Sequence, residues 1–205
     1  LLPMIGWRSI FLLISILILL SIILILVFTP SWNNNHKNTI TQEKGNLSDV
    51  WKNKFFISLI PLCFLNYGGV QAVQTLWAGP WMLNVAGYSP LDSATGLFWI
   101  NITMLFAFMF WGYILPKFSS LGIDSIKIVK IGLPISYVVL FSIIIMGQNA
   151  GAIMFTLYIL SSIVLSLTQP ALALSFPQNL AGKSLTSINV FIHSGTFFVQ
   201  WGIGL

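Results

Sequence analysis

Long apolar segments recur along the whole chain, and they constrain its fold more than any other feature of the sequence. A helix needs about 20 mostly apolar residues to cross the hydrocarbon core of a bilayer, where unpaired backbone groups are very costly. Six segments meet this requirement: residues 10–28, 55–85, 97–115, 126–147, 152–174 and 186–205. The sequence therefore predicts an all-α, polytopic membrane protein with six transmembrane helices.

The composition excludes an ordinary soluble domain, because 57% of the residues are hydrophobic and only 6% are charged. A secretory signal would explain only one short apolar segment near the start. The net charge of +5 does not indicate nucleic acid as a partner, because the basic residues are scattered and form no dense face. Cys63 is the only cysteine, so the chain cannot form an internal disulfide or a cysteine metal cluster. We expect no metal and no cofactor.

The polar connections between the segments carry the basic residues unevenly. One side of the predicted topology holds Lys37, Lys44, Lys52, Lys54, Lys117, Lys127, Lys130 and Lys183. Arg8 is the only basic residue predicted on the other side. By the positive-inside rule the lysine-rich side is cytoplasmic, which places the Asn-rich loop of residues 31–54 in the cytoplasm.

The second segment is too long for a straight crossing. It contains Pro61, Gly68, Gly69 and Pro80, residues that interrupt or loosen a helix. We therefore predict a bend or a partly unwound stretch near the glycines.

Polar side chains inside three segments recur at about 100° per residue, so that each set shares one helix face. Such residues are costly in hydrocarbon and usually face protein or a water-filled cavity. With Asn101 of the third segment, they predict a substrate cavity lined by Asn66, Tyr67, Gln71, Gln74, Trp81, Asn101, Tyr158, Ser162, Gln169, Asn189, His193, Thr196 and Gln200. His193 is the only histidine in these stripes, and histidine is the side chain that most readily exchanges a proton near neutral pH, which makes it the candidate for a proton relay.

A second interpretation of these stripes stays open. Amides between helices can act as glue, each contributing about 0.6 kcal/mol without touching a solute. His193 can likewise be a neutral structural residue that is held by hydrogen bonds. The first and fourth segments contain only isolated hydroxyls, Ser15, Ser21, Ser136 and Ser142, which can bond to their own helix backbone. We expect those two segments to face lipid.

A polar cluster, FPQNLAGKSLTSIN, lies between the last two segments at residues 176–189. Pro177 cannot continue a helix, and Gly182 can adopt a left-handed turn. Three hydroxyls can cap the helix that follows: Ser184, Thr186 and Ser187. The cluster predicts a tight cytoplasmic turn, with Lys183 near anionic lipid or near the carbonyls at a helix C-terminus.

The order of these features resembles the major facilitator superfamily over essentially the whole chain. GWRSIF is similar to the start of that family's sixth helix, and the loop after this helix to the one that joins its two six-helix halves. TLWAGPWMLNVAGYSP is similar to the outer end of the seventh helix, and FPQNLAGKSLTSINVFIHSGTFFVQWGIGL to the tenth-to-eleventh connection and the eleventh helix. The resemblance implies a fragment of three parts: residues 1–30, the last helix of the N-terminal half; residues 31–54, the central cytoplasmic loop; and residues 55–205, five helices of an incomplete C-terminal half.

One motif of that family is weakened in this chain. Gly112 and Lys117 match the motif after the eighth helix, but Pro116 stands at its aspartate position. Ser119 and Ser120 replace its final glycine and basic residue. This departure argues against a gating salt bridge through that aspartate.

The resemblance implies a permease that moves a small polar or amphipathic solute by alternating access, with the solute site between the two halves. It implies a multi-pass protein of the plasma membrane, the inner membrane in a bacterium, that is a monomer at full length. The expected partners are membrane lipid, the solute and a coupling proton, without nucleic acid.

Two other functions stay open. One is a sensor or binding protein that keeps this fold without transport, and the other is a membrane enzyme. An enzyme would need paired carboxylates or histidines at metal-binding spacing. The four acidic residues lie in loops or at segment ends, and the two histidines are far apart.

Overall fold

The structure is a computed structural model that describes residues 2–28 and 45–203, with the side chains of residues 8–28 and 45–203. The described residues contain helices and short connections but no strand, as the predicted all-α fold requires. The chain divides into two compact units, Leu1–Thr41 and Gln42–Leu205.

The first unit contains helix α1, Leu2–Phe28, of which Arg8–Phe28 is long and apolar enough to cross a membrane. Ser15 Oγ and Ser21 Oγ each donate a hydrogen bond to a carbonyl of α1 about one turn earlier, at 2.8 Å and 2.7 Å. This confirms that these hydroxyls need no partner on another helix.

The described part of the second unit contains six helices: α2, Leu47–Trp51; α3, Lys54–Asn84; α4, Pro90–Ser120; α5, Ser125–Met146; α6, Ala152–Leu174; and α7, Gln178–Ile203. Short connections make consecutive long helices antiparallel, so that α3, α5 and α7 run in one direction. The helices α3 to α6 have the length and hydropathy of membrane spans. α4 extends beyond the predicted 97–115 at both ends.

α7 is long enough to cross a bilayer, but it does not reach the hydropathy of the other spans. Its contacts in the bundle show how far it extends along the other spans. Leu180, near its start, packs on Gly45 just before α2, and Gln200, near its end, bonds to Thr75 in the second half of α3. α7 therefore covers most of the depth that α3 covers.

α3 is helical throughout but contains two wide, π-type turns, Cys63–Tyr67 and Val73–Trp77. Between them lies the regular turn Gly68–Ala72. Pro80 follows the second wide turn, and its ring crowds the carbonyl of Leu76, which lies within that turn; a wider turn relieves this clash. The predicted irregularity is therefore present, but it flanks the glycines, and the stretch at the glycines is not unwound.

The core of the second unit is built around α6. Phe155 and Ile159 of α6 are buried against Met82 of α3 and Ile100 of α4. Toward the other end of the bundle, a second cluster joins α3, α6 and α7 and contains Phe56, Leu59, Cys63, Leu172, Ile188 and Ile192. α6 thus packs against α3 along both halves of its length.

The predicted turn at residues 176–189 is wrong in extent, because α7 begins at Gln178, directly after Pro177. The amides of Leu180 and Ala181 donate to the Pro177 carbonyl at 2.8 Å and 3.0 Å, which closes the first turn. A proline at a helix start needs no donor there, and its fixed φ already suits the helix. The proline therefore starts α7 instead of opening a longer loop.

Gly182 and Lys183 consequently lie inside α7 and not in a turn. Gly182 does not have the positive φ that a left-handed turn requires. Ser184 Oγ and Thr186 Oγ1 donate to carbonyls of α7 itself, at 2.8 Å and 3.0 Å, so neither caps the helix. Lys183 Nζ donates to the Gly45 carbonyl at 2.6 Å, and its partner is thus the end of the central loop.

The lysines of the described second unit gather at one end of the bundle. They flank the starts of α3, α5 and α7 and the end of α4: Lys52, Lys54, Lys117, Lys127, Lys130 and Lys183. One cavity is lined by residue 55 at the start of α3, residue 119 at the end of α4, residue 126 at the start of α5 and residue 175 after α6, so these four helix ends meet. Lys37, Lys44 and most of the predicted loop 31–54 lie outside the described residues. The cytoplasmic location of this end stays a prediction.

Candidate functional site

A strip of polar side chains crosses three helices of the second unit. Gln74 Nε2 of α3 donates to Asn101 Oδ1 of α4 at 2.9 Å. The next residue, Thr75, accepts at Oγ1 from Gln200 Nε2 of α7 at 3.0 Å. Because Gln74 and Thr75 are adjacent, hydrogen bonds join α4, α3 and α7 at one level. We call Gln74, Thr75, Asn101 and Gln200 the amide strip.

The amide strip is positioned by the second wide turn of α3, Val73–Trp77, which carries both Gln74 and Thr75. Wide turns of this type are frequent at functional sites. Thr75 Oγ1 donates to the Gln71 carbonyl at 2.7 Å, so its oxygen lone pairs are left for Gln200. The sequence analysis missed Thr75, although its position four residues after Gln71 was a signal.

A cavity of about 100 Å³ opens beside the strip, between α3, α4 and α6. Four of the predicted site residues line it: Tyr67, Gln71, Gln74 and Ser162. The remaining lining residues are Val70, Met104, Phe108, Ile159, Ile163, Leu165 and Ser166. The lining is thus mainly apolar, with amide and hydroxyl groups and no charged side chain.

Tyr67 connects the wall of this cavity to the buried part of α6. Its hydroxyl donates to the Leu165 carbonyl at 3.4 Å, and Gln169 lies beside the same hydroxyl. Leu165 belongs to the 3-10 segment Ile163–Leu167 that interrupts α6. The predicted neighbours Tyr67 and Gln169 are therefore close together in the fold.

Three predicted site residues lie elsewhere. Asn66 faces α5, where its Oδ1 accepts a hydrogen bond from the Tyr137 hydroxyl. It lines a second cavity, of about 330 Å³, together with Tyr158. Trp81 Nε1 donates to the Ala150 carbonyl, in the connection between α5 and α6, at 3.1 Å. The structure therefore does not gather all thirteen residues around one cavity.

The predicted stripe on α7 lies on the side of that helix that approaches Thr75. Residues 189, 193, 196 and 200 share this side, as their spacing predicts. Thr196 Oγ1 donates to a carbonyl of its own helix at 3.0 Å. Asn189 is half-buried and His193 is exposed, and neither makes a hydrogen bond to any residue that the structure describes.

Hydrogen bonding distinguishes two groups among the predicted site residues, apart from Ser162 and Thr196, which bond to carbonyls of their own helices. Those bonded to another part of the bundle are explained by helix packing: Asn66, Tyr67, Gln74, Trp81, Asn101 and Gln200. Gln71, Asn189 and His193 have side chains without such a bond among the described residues. A polar side chain within a membrane span needs a partner, so these three are the candidates for contact with water or a solute.

α5 contributes more than its sequence indicated. Ser136 and Ser142 bond to carbonyls of α5 at 2.8 Å, as predicted. Tyr137, which the sequence analysis missed, bonds to Asn66 of α3. A tyrosine among apolar residues was the available signal, because a buried or half-buried hydroxyl usually finds a partner.

The residues of the weakened family motif lie in the last turns of α4. Pro116 and Lys117 lie within α4. Lys117 Nζ donates to the Tyr113 hydroxyl at 2.9 Å and lies 4.0 Å from the centre of the same ring. Lys117 is therefore engaged within its own helix.

Within the residues that the structure describes, no group of three or more His, Cys, Asp and Glu side chains converges.

The family model described as Major Facilitator Superfamily matches residues 1–200 of the chain. No curated protein and no solved structure matches it.

Proposed function

This chain belongs to the major facilitator superfamily, and we propose that it is part of a permease that moves a small polar or amphipathic solute by alternating access. The family consists of membrane transporters and not of enzymes. The apolar helices make the protein a multi-pass membrane protein.

The observation that carries this proposal is the position of Gln71. Its side chain is exposed beside the cavity, near the middle of α3, and it makes no hydrogen bond to any described residue. An amide that served only as glue would have a partner on a neighbouring helix, as Gln74 has in Asn101. Gln71 therefore supports a role in contact with water or a solute.

The distribution of charge supports the solute class. In the described second unit, acidic and basic residues lie in connections or in the end turns of helices, and none lies in a central turn. The contacts that these helices offer to a solute are hydrogen bonds and aromatic surface. These contacts suit a small polar or amphipathic solute.

His193 is the proposed site for a coupling proton. It is exposed on α7, on the same side of this helix as Gln200. Histidine is the side chain whose charge changes most readily near neutral pH, and an ionisable group inside a span commonly marks a proton or ion pathway.

We place the protein in the plasma membrane, the inner membrane in a bacterium, as a monomer with membrane lipid around it. The lysine-rich end of the bundle faces the cytoplasm in this proposal, since basic residues are retained on that side. No nucleic acid is expected as a partner, because the positive-inside rule accounts for these lysines.

The test is solute flux into proteoliposomes that contain the full-length protein. Gln71→Ala should lower the flux while the amount of folded protein stays unchanged. Leu65→Ala is the matched control, because Leu65 is an exposed residue on another face of α3. Protection of the protein by a ligand without any flux would contradict transport and indicate a sensor.

A further inference from the structure

The hydroxyl groups that line the cavity beside the amide strip use their hydrogens within the protein. The hydroxyls of Ser162, Ser166 and Tyr67 donate to backbone carbonyls of α6, at 2.8 Å, 2.8 Å and 3.4 Å. A carbonyl oxygen can only accept, so each serine hydroxyl directs its single hydrogen to that carbonyl, and the longer Tyr67 contact has the same direction. What each of them can still offer to the cavity is an oxygen lone pair.

Gln74 also presents an oxygen to the cavity, because its hydrogen bond to Asn101 fixes which way its amide points. Asn101 Nδ2 donates to the Leu97 carbonyl at 2.8 Å. Because that carbonyl only accepts, the nitrogen of Asn101 must face it, and Oδ1 must face Gln74. Gln74 therefore has to present its nitrogen to Asn101, at 2.9 Å.

The nitrogen of Gln74 has no hydrogen left for the cavity. Its Nε2 donates both to Asn101 Oδ1 and to Met104 Sδ, the latter at 3.5 Å. Its Oε1 accepts no hydrogen bond from a described residue, and no unpaired polar side-chain atom is buried in the described structure. The Gln74 oxygen is therefore accessible and available as an acceptor.

We propose that this cavity selects a solute group that donates hydrogen bonds, an N–H, O–H or ammonium group, and disfavours groups that only accept, such as ethers and carboxylates. The inference rests on the proposed function, because it assumes that a solute enters this cavity. An acceptor-only group would give up its bonds to water and, apart from Gln71, meet only oxygen lone pairs, which is the costly case for a polar group.

The aromatic residues of the lining also favour a hydrogen-bond donor, in particular a cationic one. Tyr67 and Phe108 both line the cavity. The face of an aromatic ring attracts a cation, so the lining favours a protonated amine over a carboxylate. No charged side chain among the lining residues opposes this preference.

Gln71 is the exception among the lining residues. Its amide has no partner among the described residues and can rotate to present either its nitrogen or its oxygen. It therefore adds no preference for donors over acceptors. Gln71, one turn before Gln74 on the same helix, is therefore the lining residue that can still donate a hydrogen bond to an acceptor.

The test uses the full-length protein in lipid nanodiscs and two five-membered rings of similar size. Pyrrole has an N–H that donates, and furan has an oxygen that only accepts. Binding is measured by saturation-transfer NMR for the wild type, Gln74→Met and Gln71→Met. Partition of the two rings into lipid is the same for all three proteins, so differences between the proteins report binding to the cavity.

The wild type should bind pyrrole about fivefold more tightly than furan, as one neutral hydrogen bond predicts. Gln74→Met should bring this ratio toward one, whereas Gln71→Met should not lower it, because it removes the lining donor that furan could use and leaves the Gln74 oxygen in place. Furan binding as tightly as pyrrole to the wild type would overturn the inference, as would a ratio that Gln74→Met does not change.

A second variant keeps the test informative if Gln74→Met does not fold. Ser166→Ala removes another acceptor from the same lining with a small change in volume, and it should lower the ratio by itself. Flux is measured separately. A preference for pyrrole without flux of any solute would support this inference and contradict transport, whereas flux without the preference would overturn the inference and leave the transport function intact.

Discussion

Gly68 of α3 and Gly195 of α7 lie backbone to backbone where these two parallel helices cross. A Cβ atom added to Gly68 would lie 2.6 Å from the Gly195 carbonyl oxygen, and one added to Gly195 would overlap the Phe64 backbone. Small residues at a helix crossing allow this close approach in a membrane. The crossing brings α7 near enough to α3 for Gln200 to reach Thr75.

Gly195→Ala should therefore destabilise the protein, because the added methyl group meets backbone atoms that cannot rotate away. The expected cost is about 1–3 kcal/mol, as for other overpacked sites. The measurement is the thermal unfolding of the purified full-length protein. Gly69→Ala is the control, since a Cβ at Gly69 meets no atom within 4 Å. Equal effects of the two substitutions would contradict the close crossing.

His193→Ala should lower transport without lowering the amount of folded protein. The reason is that the imidazole is exposed and has no hydrogen bond to a described residue, so its removal breaks no contact in the bundle. Flux should be measured from pH 5 to pH 8, together with the protein recovered in a folded state. Loss of folding in parallel with transport would favour the structural interpretation of His193.

The bonded and unbonded amides should respond differently to substitution. Gln200→Ala removes a bond to Thr75 and should cost about 0.6 kcal/mol of stability, the typical value for such bonds in membranes. Gln71→Ala removes no bond within the described structure and should change flux more than stability. A double-mutant cycle of Gln200 with Thr75 measures the coupling directly. A coupling near zero would show that the amide strip does not hold α7.

Single cysteines at positions 71, 189 and 193 should react with a water-soluble maleimide, on a background in which Cys63 is replaced by alanine. Water must reach these side chains if they contact a solute, and a thiol reacts as its thiolate. Val138 and Ile131 are the control positions, because both are exposed on α5 among apolar residues. If the control cysteines react as fast as the others, the water-filled site is contradicted.

Lys183→Met should loosen the end of the central loop, because Lys183 Nζ donates to the Gly45 carbonyl at 2.6 Å. The bond is exposed, so the loss of stability should be at most about 1 kcal/mol. Faster proteolysis between residues 45 and 54 is the expected readout. Lys130→Met is the matched control, since it removes the same charge at the same end of the bundle without a described partner. Equal cleavage of both variants would argue against the tether.

Much of the fold could be predicted from the sequence because hydrophobic length is a local property. The span predicted at 152–174 is the helix Ala152–Leu174, and α3 and α5 differ from their predictions by one residue at each end. The start of α7 could not be predicted in this way. Its first turns are polar and contain Gly182, yet Pro177 starts the helix and Lys183 joins it to Gly45.

The candidate site was predictable only in part. Periodicity correctly placed Gln71 and Gln74 beside Tyr67 along one cavity. Periodicity could not show that Asn66 faces α5 instead of this cavity. Neighbouring residues point about 100° apart around a regular helix, but the wide turn Cys63–Tyr67 changes that angle locally. Tyr137, the partner of Asn66, lies 71 residues away and was not identifiable from spacing.

The sequence by itself determined that the chain spans a membrane, roughly where the spans lie and which side chains are too polar for hydrocarbon. These properties depend on the residues within one helix. The tertiary structure decided which polar groups find partners, as Gln74 does in Asn101 and Gln71 does not. Hydrogen bonds between helices depend on distance and direction across a packed interface, and no property of a single helix contains that information.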